Sequence, residues 1–420
     1  VYFAKGSAAP VRFAADAPLA LSDLCELDGC TPSQIESLGD SVTVSSAIDY
    51  LLGDVTKERR NGGPFRDRGT RLGDFVHSTP VISAPTDDYG YGALKGELGA
   101  SYATYRNTKA SRRYMVYVGG NGGMLHAFNG GLTKSMVESN VPPDANGGRE
   151  EFGYIPTTAL GHLGNLLFPF DASPTARQFR HRYYVDGQIS VSDAHYNDAW
   201  KTVLVGAAGA GGRSVFALDV SDPSSFSESN RLWEISDLNT SLDGDVRDDI
   251  GHVLGRPVIV PVKNKAGGVA WKAIFGNGYE SASGRAVLFL VDIDSGPPKI
   301  RRVVAREPSS GLAATSANGL GNIVVLDRWA GEDLSVGGRD GYADTVYAAD
   351  RQGAIWKFDI RDADPDHQTV PLFVTQEYAG SGGRFRQPIT GGLTATVGPR
   401  GGITLYFGTG SFVFENDHTD

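Results

Sequence analysis

Cysteine is almost absent from this chain, 2 of 420 residues, and both lie in one short segment, CELDGC from Cys25 to Cys30. A structural zinc site wants four ligands, and no second pair sits nearby at comparable spacing. The two residues read either as free thiols in a reducing compartment or as a small disulfide clip in an oxidising one. An excess of positive charge is missing too: 39 Lys and Arg stand against 49 Asp and Glu, for a net charge of −10. That balance argues against a general nucleic-acid binder, which carries a basic footprint, and it leaves carboxylates available for a divalent cation. No apolar run approaches the roughly 18 residues of a membrane span, so none is expected. The opening VYFAKGSAAP also lacks the basic stretch and apolar core of a signal peptide.

The signatures of catalysis are absent as well, and no enzyme is expected. The eight histidines are dispersed, at His77, His126, His162, His181, His195, His252, His367 and His418, and none forms an H-E-x-x-H pair. There is no G-x-S-x-G elbow and no G-x-x-x-x-G-K phosphate loop. The glycine clusters at 119–123 and 206–212 lack the full G-x-G-x-x-G spacing. Each precedes a strand, whereas a dinucleotide site needs a helix N-terminus facing the pyrophosphate. Hairpin turns explain them better.

What is abundant is glycine, 55 residues, roughly twice the usual share of about 7%. The glycines follow no collagen period and fall at the ends of apolar runs, where turns need positive φ. One amphipathic helix is expected early, over residues 45–57, from Ile48, Leu51, Leu52 and Val55. From about residue 71 the pattern becomes short apolar runs broken by Gly, Asn, Asp and Pro. A loose unit then recurs: an apolar strand ending in Gly, a turn, and a second strand often ending in Asp or Asn. It reads YMVYVGGNGGMLHAFN from Tyr114, TVLVGAAGAGGRSVFALDV from Thr202, KAIFGNGYESASGRAVLFLVDI from Lys272, TVYAADRQGAIWKFDI from Thr345 and ITLYFGTGSFVF from Ile403. A weaker copy is YYVDGQISVSDA at 183–194. Proline-led strands, TPVIS, RPVIV and QPITG, precede several copies. Multi-strand units repeating every few tens of residues point to radial stacking in a propeller of six or seven blades, with long loops such as 134–149; the competing architecture is an irregular β-sandwich. Residues 1–70 form a lead-in and 71–420 the repeat region. Trp200, Trp271 and Trp356 lie in or beside strands and read as packing between blades.

Two acidic loops carry the remaining chemistry. In the segment 327–350, Asp340-Gly341-Tyr342-Ala343-Asp344 matches the second half of an EF-hand-like loop: alternating carboxylates, a Gly at the bend, and a backbone carbonyl two residues after the third ligand. Val336 and Gly338 occupy the earlier ligand positions and supply no carboxylate, leaving Asp327 or Asp333 to reach in. The second stretch, from Asp237 through Asn239, Ser241, Asp243 and Asp245 to Asp248 and Asp249, has its glycine out of place for calcium and reads as a solvated loop.

Taken in order, these strings resemble the C-terminal domain of the PilC/PilY family of type IV pilus proteins. The series runs from YLLGD at Tyr50 and FRDRGTRLGDFVHSTPV at Phe65 through VYVGGNGGMLHAFNGG, YYVDG, DAWKTVLVGAAGAGGRSVFALDV, LWEISD, IFGNGYES and NGL to DGYADTVYAADRQGAIWKFDI, QPIT and LYFGTGSF. The resemblance implies an all-β fold, a modified seven-bladed β-propeller with long loops and a short N-terminal helical lead-in. It implies a non-catalytic pilus biogenesis and adhesion factor, exported through the periplasm and outer membrane to the pilus tip or cell surface. Its partners would be pilins, minor pilins and a host-cell or surface receptor, and twitching motility and virulence would depend on it. It further implies one bound Ca2+ that modulates pilus extension and retraction, with Asp340 and Asp344 at the third and last ligand positions, Tyr342 at the carbonyl position, and Asp327 at the first if the residues between are an insertion. Export favours the Cys25–Cys30 clip. The other readings are a quinoprotein-like propeller dehydrogenase and a generic envelope scaffold propeller.

Overall fold

The computed structural model describes residues 1–6, 9–27, 30–39, 41–170, 177–306, 317–328, 339–361, 367–368, 370–380, 383–398 and 402–411. The chain divides into two compact units, and it passes between them repeatedly. One comprises Val1–Pro85, Arg112–Ile189 and Gly206–Asp243; the other comprises Thr86–Ser111, Ser190–Val205 and Gly244–Asp420.

The first unit is built on a six-stranded sheet in the order Val11–Arg12, Tyr2–Phe3, Glu150–Ile155, Leu125–Thr133, Arg113–Gly119, Val81–Ser83. Arg113–Gly119 and Leu125–Thr133 are the expected hairpin, closing at Gly119 opposite Leu125. Tyr2–Phe3 adds to the sheet in parallel beside Glu150–Ile155. The hairpin of Ser214–Asp219 with Arg231–Ser236 packs on this sheet through aromatic rings, with Tyr154 at 5.1 Å from Phe216. The carboxylate of Glu234, sealed among them, accepts the Tyr154 hydroxyl at 2.7 Å and the Thr157 N–H at 2.8 Å.

The lead-in holds a helix at Val44–Leu51, shorter than the expected 45–57. Thr43 and Ser46 cap its start by exchanging side chain-to-backbone hydrogen bonds. Its end is set by Gly53, whose φ of 105° carries the chain out of the helical region. Cys25 and Cys30 form a disulfide that packs on Gly164, where an added Cβ would lie 2.5 Å from the Cys25 sulfur.

In the second unit, Val258–Lys263, Val269–Gly276, Ala286–Asp292 and Ile300–Ala305 run as an antiparallel meander, with His367–Gln368 added in parallel at the edge. Leu320–Leu326, Thr345–Asp350, Ala354–Asp359 and Phe373–Val374 form a second antiparallel sheet. Alternating residues of both sheets, among them Ile274, Leu288, Val346, Ala348, Trp356 and Phe358, share one core. The other face of the second sheet, with Tyr347 and Ile355, packs against the two-stranded sheet of Leu393–Val397 and Ile403–Phe407. Successive sheets thus bury their faces against one another, the relation expected of stacked repeats. Trp356 sits in the intersheet core as expected, its indole N–H donating to Asp350 at 2.8 Å.

Several expectations change. The longest helix, Glu97–Lys109, has no apolar periodicity in its sequence. It is held instead by polar burial: the Lys109 ammonium reaches Asp193 at 2.7 Å, and both side chains are buried. Beside them Tyr91, Tyr102, Trp200 and Trp271 form one aromatic cluster, with Trp200 stacked on Tyr91 at 5.6 Å. The weak copy at 183–194 supplies a single strand, Ile189–Tyr196; ahead of it the Asp186 carboxylate accepts the His77 N–H at 3.0 Å. Of the proline-led strands, TPVIS and RPVIV become Val81–Ser83 and Val258–Lys263, whereas QPITG contributes only an isolated bridge between Ile389 and Gly410. The second half of ITLYFGTGSFVF, from residue 412, lies outside the described residues.

Candidate functional site: a carboxylate loop

The strand Leu320–Leu326 ends at Asp327, and the strand Thr345–Asp350 begins after Asp344. The two strands pair with Leu326 opposite Thr345. That register, and no local motif, brings Asp327 beside Asp344 across the intervening loop. The backbone of Asp344 is fixed on both sides: its N–H donates to the Leu326 carbonyl at 3.0 Å, and its carbonyl accepts the Ile360 N–H at 2.9 Å. Ala343 is tied to the neighbouring meander through the Pro261 carbonyl at 2.8 Å.

Within this frame Asp327, Asp340 and Asp344 lie near enough for their charges to act on one another. Asp327 accepts the Gly341 N–H at 2.8 Å through one oxygen and the Asp340 N–H at 3.3 Å through the other. Asp340 accepts the Tyr342 N–H at 3.2 Å. Asp344, buried, accepts the Arg328 N–H at 2.9 Å and the Thr345 hydroxyl at 2.7 Å. Burial pushes the Asp327 carboxyl above the ordinary aspartate range; the two N–H donors oppose that rise, and the charges of Asp340 and Asp344 add to it. Oxygen donors crowded in this way suit a hard cation in kind. The described residues alone do not close a cage, since no group of three or more His, Cys, Asp or Glu among them has metal-holding geometry. Asp333, Val336 and Gly338 lie outside the described residues.

A cavity of about 460 Å3 opens beside the loop, with Tyr89, Tyr91, Arg256, Asp327 and Gly341 on its wall. The second acidic stretch departs from expectation at its end. Asp249 is fully buried, accepting Arg285 at 2.8 Å and a further ion pair from Arg302. It is an anchor for the Gly244–Asp249 helix, and the arginines that hold it, 36 and 53 residues away in the chain, give no local sequence signal. Among the described residues no helix is long and apolar enough to cross a membrane.

The family described as the PilY1 beta-propeller domain matches residues 72–419. A protein of Xylella fastidiosa named type IV pilus biogenesis factor PilY1 homolog is 39% identical over 412 residues, covering 93% of this chain and 25% of that protein. The type IV pilus biogenesis factor PilY1 of Pseudomonas aeruginosa strain UCBPP-PA14 is 32% identical over 396 residues, 88% of this chain and 29% of that protein. Among solved structures, the crystal structure of the Pseudomonas aeruginosa PilY1 C-terminal domain superposes with a TM-score of 0.51 at 28% identity, over 75% of this chain and 56% of that one. The chain therefore spans about a quarter of the length of the curated relatives it matches.

Proposed function

The chain belongs to the PilY1 β-propeller domain family, and from that premise we propose that it is the propeller portion of a type IV pilus biogenesis factor. In this reading it acts as a non-catalytic assembly and adhesion module, exported and displayed at the pilus tip or cell surface. Its partners are pilins, minor pilins and a host-cell or other surface receptor. The observation that supports the reading is the length of the likeness: 93% of the chain aligns with a relative named for pilus biogenesis.

The regulatory part of the proposal rests on the carboxylate loop. The carboxylates of Asp327, Asp340 and Asp344 and the carbonyl of Tyr342 would hold one calcium ion, which supplies positive charge where three negative groups crowd. Asp327 already clasps the Asp340 and Gly341 N–H groups, so this chain's residues order the turn, and cation binding and loop order are linked. Modulation of pilus extension and retraction would follow from that linkage.

The test is calorimetric titration of the purified chain with calcium, alongside Asp340→Ala and Asp344→Ala. One binding event in the wild type, lost in both variants, is the expected result. No binding at millimolar calcium would remove the regulatory part. Binding of purified minor pilins to the immobilised chain tests the assembly part separately, and its absence with both calcium-loaded and calcium-free protein would overturn that part.

A further inference from the structure

The FRDRGTRLGD segment is used by neither the sheets nor the carboxylate loop. Its residues wall a cavity of about 270 Å3 in the first unit. The segment is pressed onto the glycine turn at 119–123: a Cβ at Gly73 would lie 2.1 Å from the Gly122 nitrogen, and the Asn121 N–H donates to the Asp74 carbonyl at 2.9 Å. Those glycines serve close packing.

Arg66 is held in the cavity wall through both its backbone and its side chain. Its N–H donates to the Leu167 carbonyl at 3.1 Å, and its carbonyl accepts the Tyr50 hydroxyl at 3.0 Å. Its Nε donates to the Leu166 carbonyl at 3.3 Å. The guanidinium carbon lies 3.8 Å from the ring centre of Phe179 and 5.3 Å from that of Phe170. Stacking of this kind covers a face of the guanidinium and leaves its edge, where the two terminal nitrogens donate. The side chain also interacts with the Tyr50 hydroxyl, and among the described residues no carboxylate pairs with the guanidinium. Arg71, exposed on the same wall, makes no ion pair there either. The neighbouring charges are committed elsewhere. Arg68 holds Glu58 at 2.8 Å and the Tyr50 and Asp54 carbonyls at 2.7 Å, and Asp74 accepts His181 at 2.9 Å.

We propose that this cavity is a receptor site for a carboxylate, held edge-on by Arg66 with Arg71 as the second contact. A planar carboxylate matches a guanidinium edge that has no acidic partner, with two parallel hydrogen bonds. The cavity is below the roughly 300 Å3 where pockets for drug-sized ligands begin, a size suited to one acidic side chain or a short organic acid. Asp67 and Asp74 also line it, and their charge penalises a dianion more than a monoanion, which selects a carboxylate over a phosphate.

The experiment follows the Arg66 Nε–H resonance of the isotopically labelled chain during titration with three probes: acetyl-glutamate amide, a blocked acidic hexapeptide, and inorganic phosphate. Saturable shifts with the two carboxylate probes, and weaker binding of phosphate, are expected. Hexapeptide binding tighter than the single residue assigns the site to an acidic segment of a partner protein, and equal binding assigns it to a free acid. Arg66→Lys, which keeps the charge and loses the fork, should weaken binding about tenfold. Arg71→Gln, at an exposed position, should weaken it several-fold and keeps the test decisive if Arg66→Lys does not fold. No saturable shift at millimolar carboxylate, unchanged affinity in Arg71→Gln, or tighter binding of phosphate would overturn the proposal.

Discussion

The Asp327 carboxylate accepts the backbone N–H of Gly341 across 14 residues of sequence, at 2.8 Å. Gly341 makes the turn there with a φ of 89°. A side chain at this position meets both backbone strain and the Leu94 side chain, 2.5 Å from an ideal Cβ. Gly341→Ala should therefore cost about 1–2 kcal/mol, read as a lowered midpoint in urea denaturation, and should weaken any calcium binding in parallel. Wild-type stability in this variant would mean that the turn does not need the left-handed conformation.

Glu234 supplies a pH dependence. Burial pushes its carboxyl above the ordinary glutamate range, against the hydrogen bonds from Tyr154 and Thr157. A carboxyl with a raised folded-state pKa binds its proton more tightly in the native state than in the unfolded one. Its contribution to stability is therefore greatest at low pH, and it falls as pH rises from the ordinary glutamate value through the raised one. In Glu234→Gln that decline should disappear. Urea denaturation of both proteins across roughly pH 4 to 8 should give curves that diverge over this window, and parallel curves would contradict the assignment.

Lys109 and Asp193 form a buried ion pair in which Asp193 also accepts the Tyr102 hydroxyl at 2.9 Å and the Thr202 hydroxyl at 2.8 Å. Lys109→Met keeps most of the side-chain volume and leaves the carboxylate without its cation. The expected loss is about 3–5 kcal/mol. The double variant Lys109→Met, Asp193→Asn should recover part of it, because the uncompensated charge is gone. Equal stability of the two variants would show that packing, and no charge pairing, holds the Glu97–Lys109 helix.

The sequence was most readable where strands obey local grammar. The hairpins from Tyr114, Lys272 and Thr345 all form, because each pairs a β-rich apolar run with a glycine turn. Asp340 and Asp344 were visible by spacing. Asp327 was reachable only by supposing an insertion, and the actual link is the pairing of Leu326 with Thr345, a property of the sheet. The Glu97–Lys109 helix was unreadable because its buried positions are Gly99, Tyr102 and Lys109, a set with no hydrophobic stripe. Asp249 looked like a solvated carboxylate because Arg285 and Arg302, which bury it, lie on distant strands. Long-range polar partners leave no periodic mark, so the unseen helix and the misread Asp249 have the same physical origin.

The interleaving of the two units has a consequence for biosynthesis. A chain that emerges N-terminus first cannot complete the first unit until Gly206–Asp243 is out. By then Thr86–Ser111 and Ser190–Val205, which belong to the other unit, have already emerged. The latter segment waits for Gly244–Asp420 while it carries Trp200, and the former carries Tyr91 and Tyr102, aromatic groups with no finished core to enter. Contacts so distant in sequence make folding slow and expose sticky intermediates. Such a protein should depend on a holding chaperone during synthesis, and truncation before residue 243 should give aggregation in place of a stable fragment.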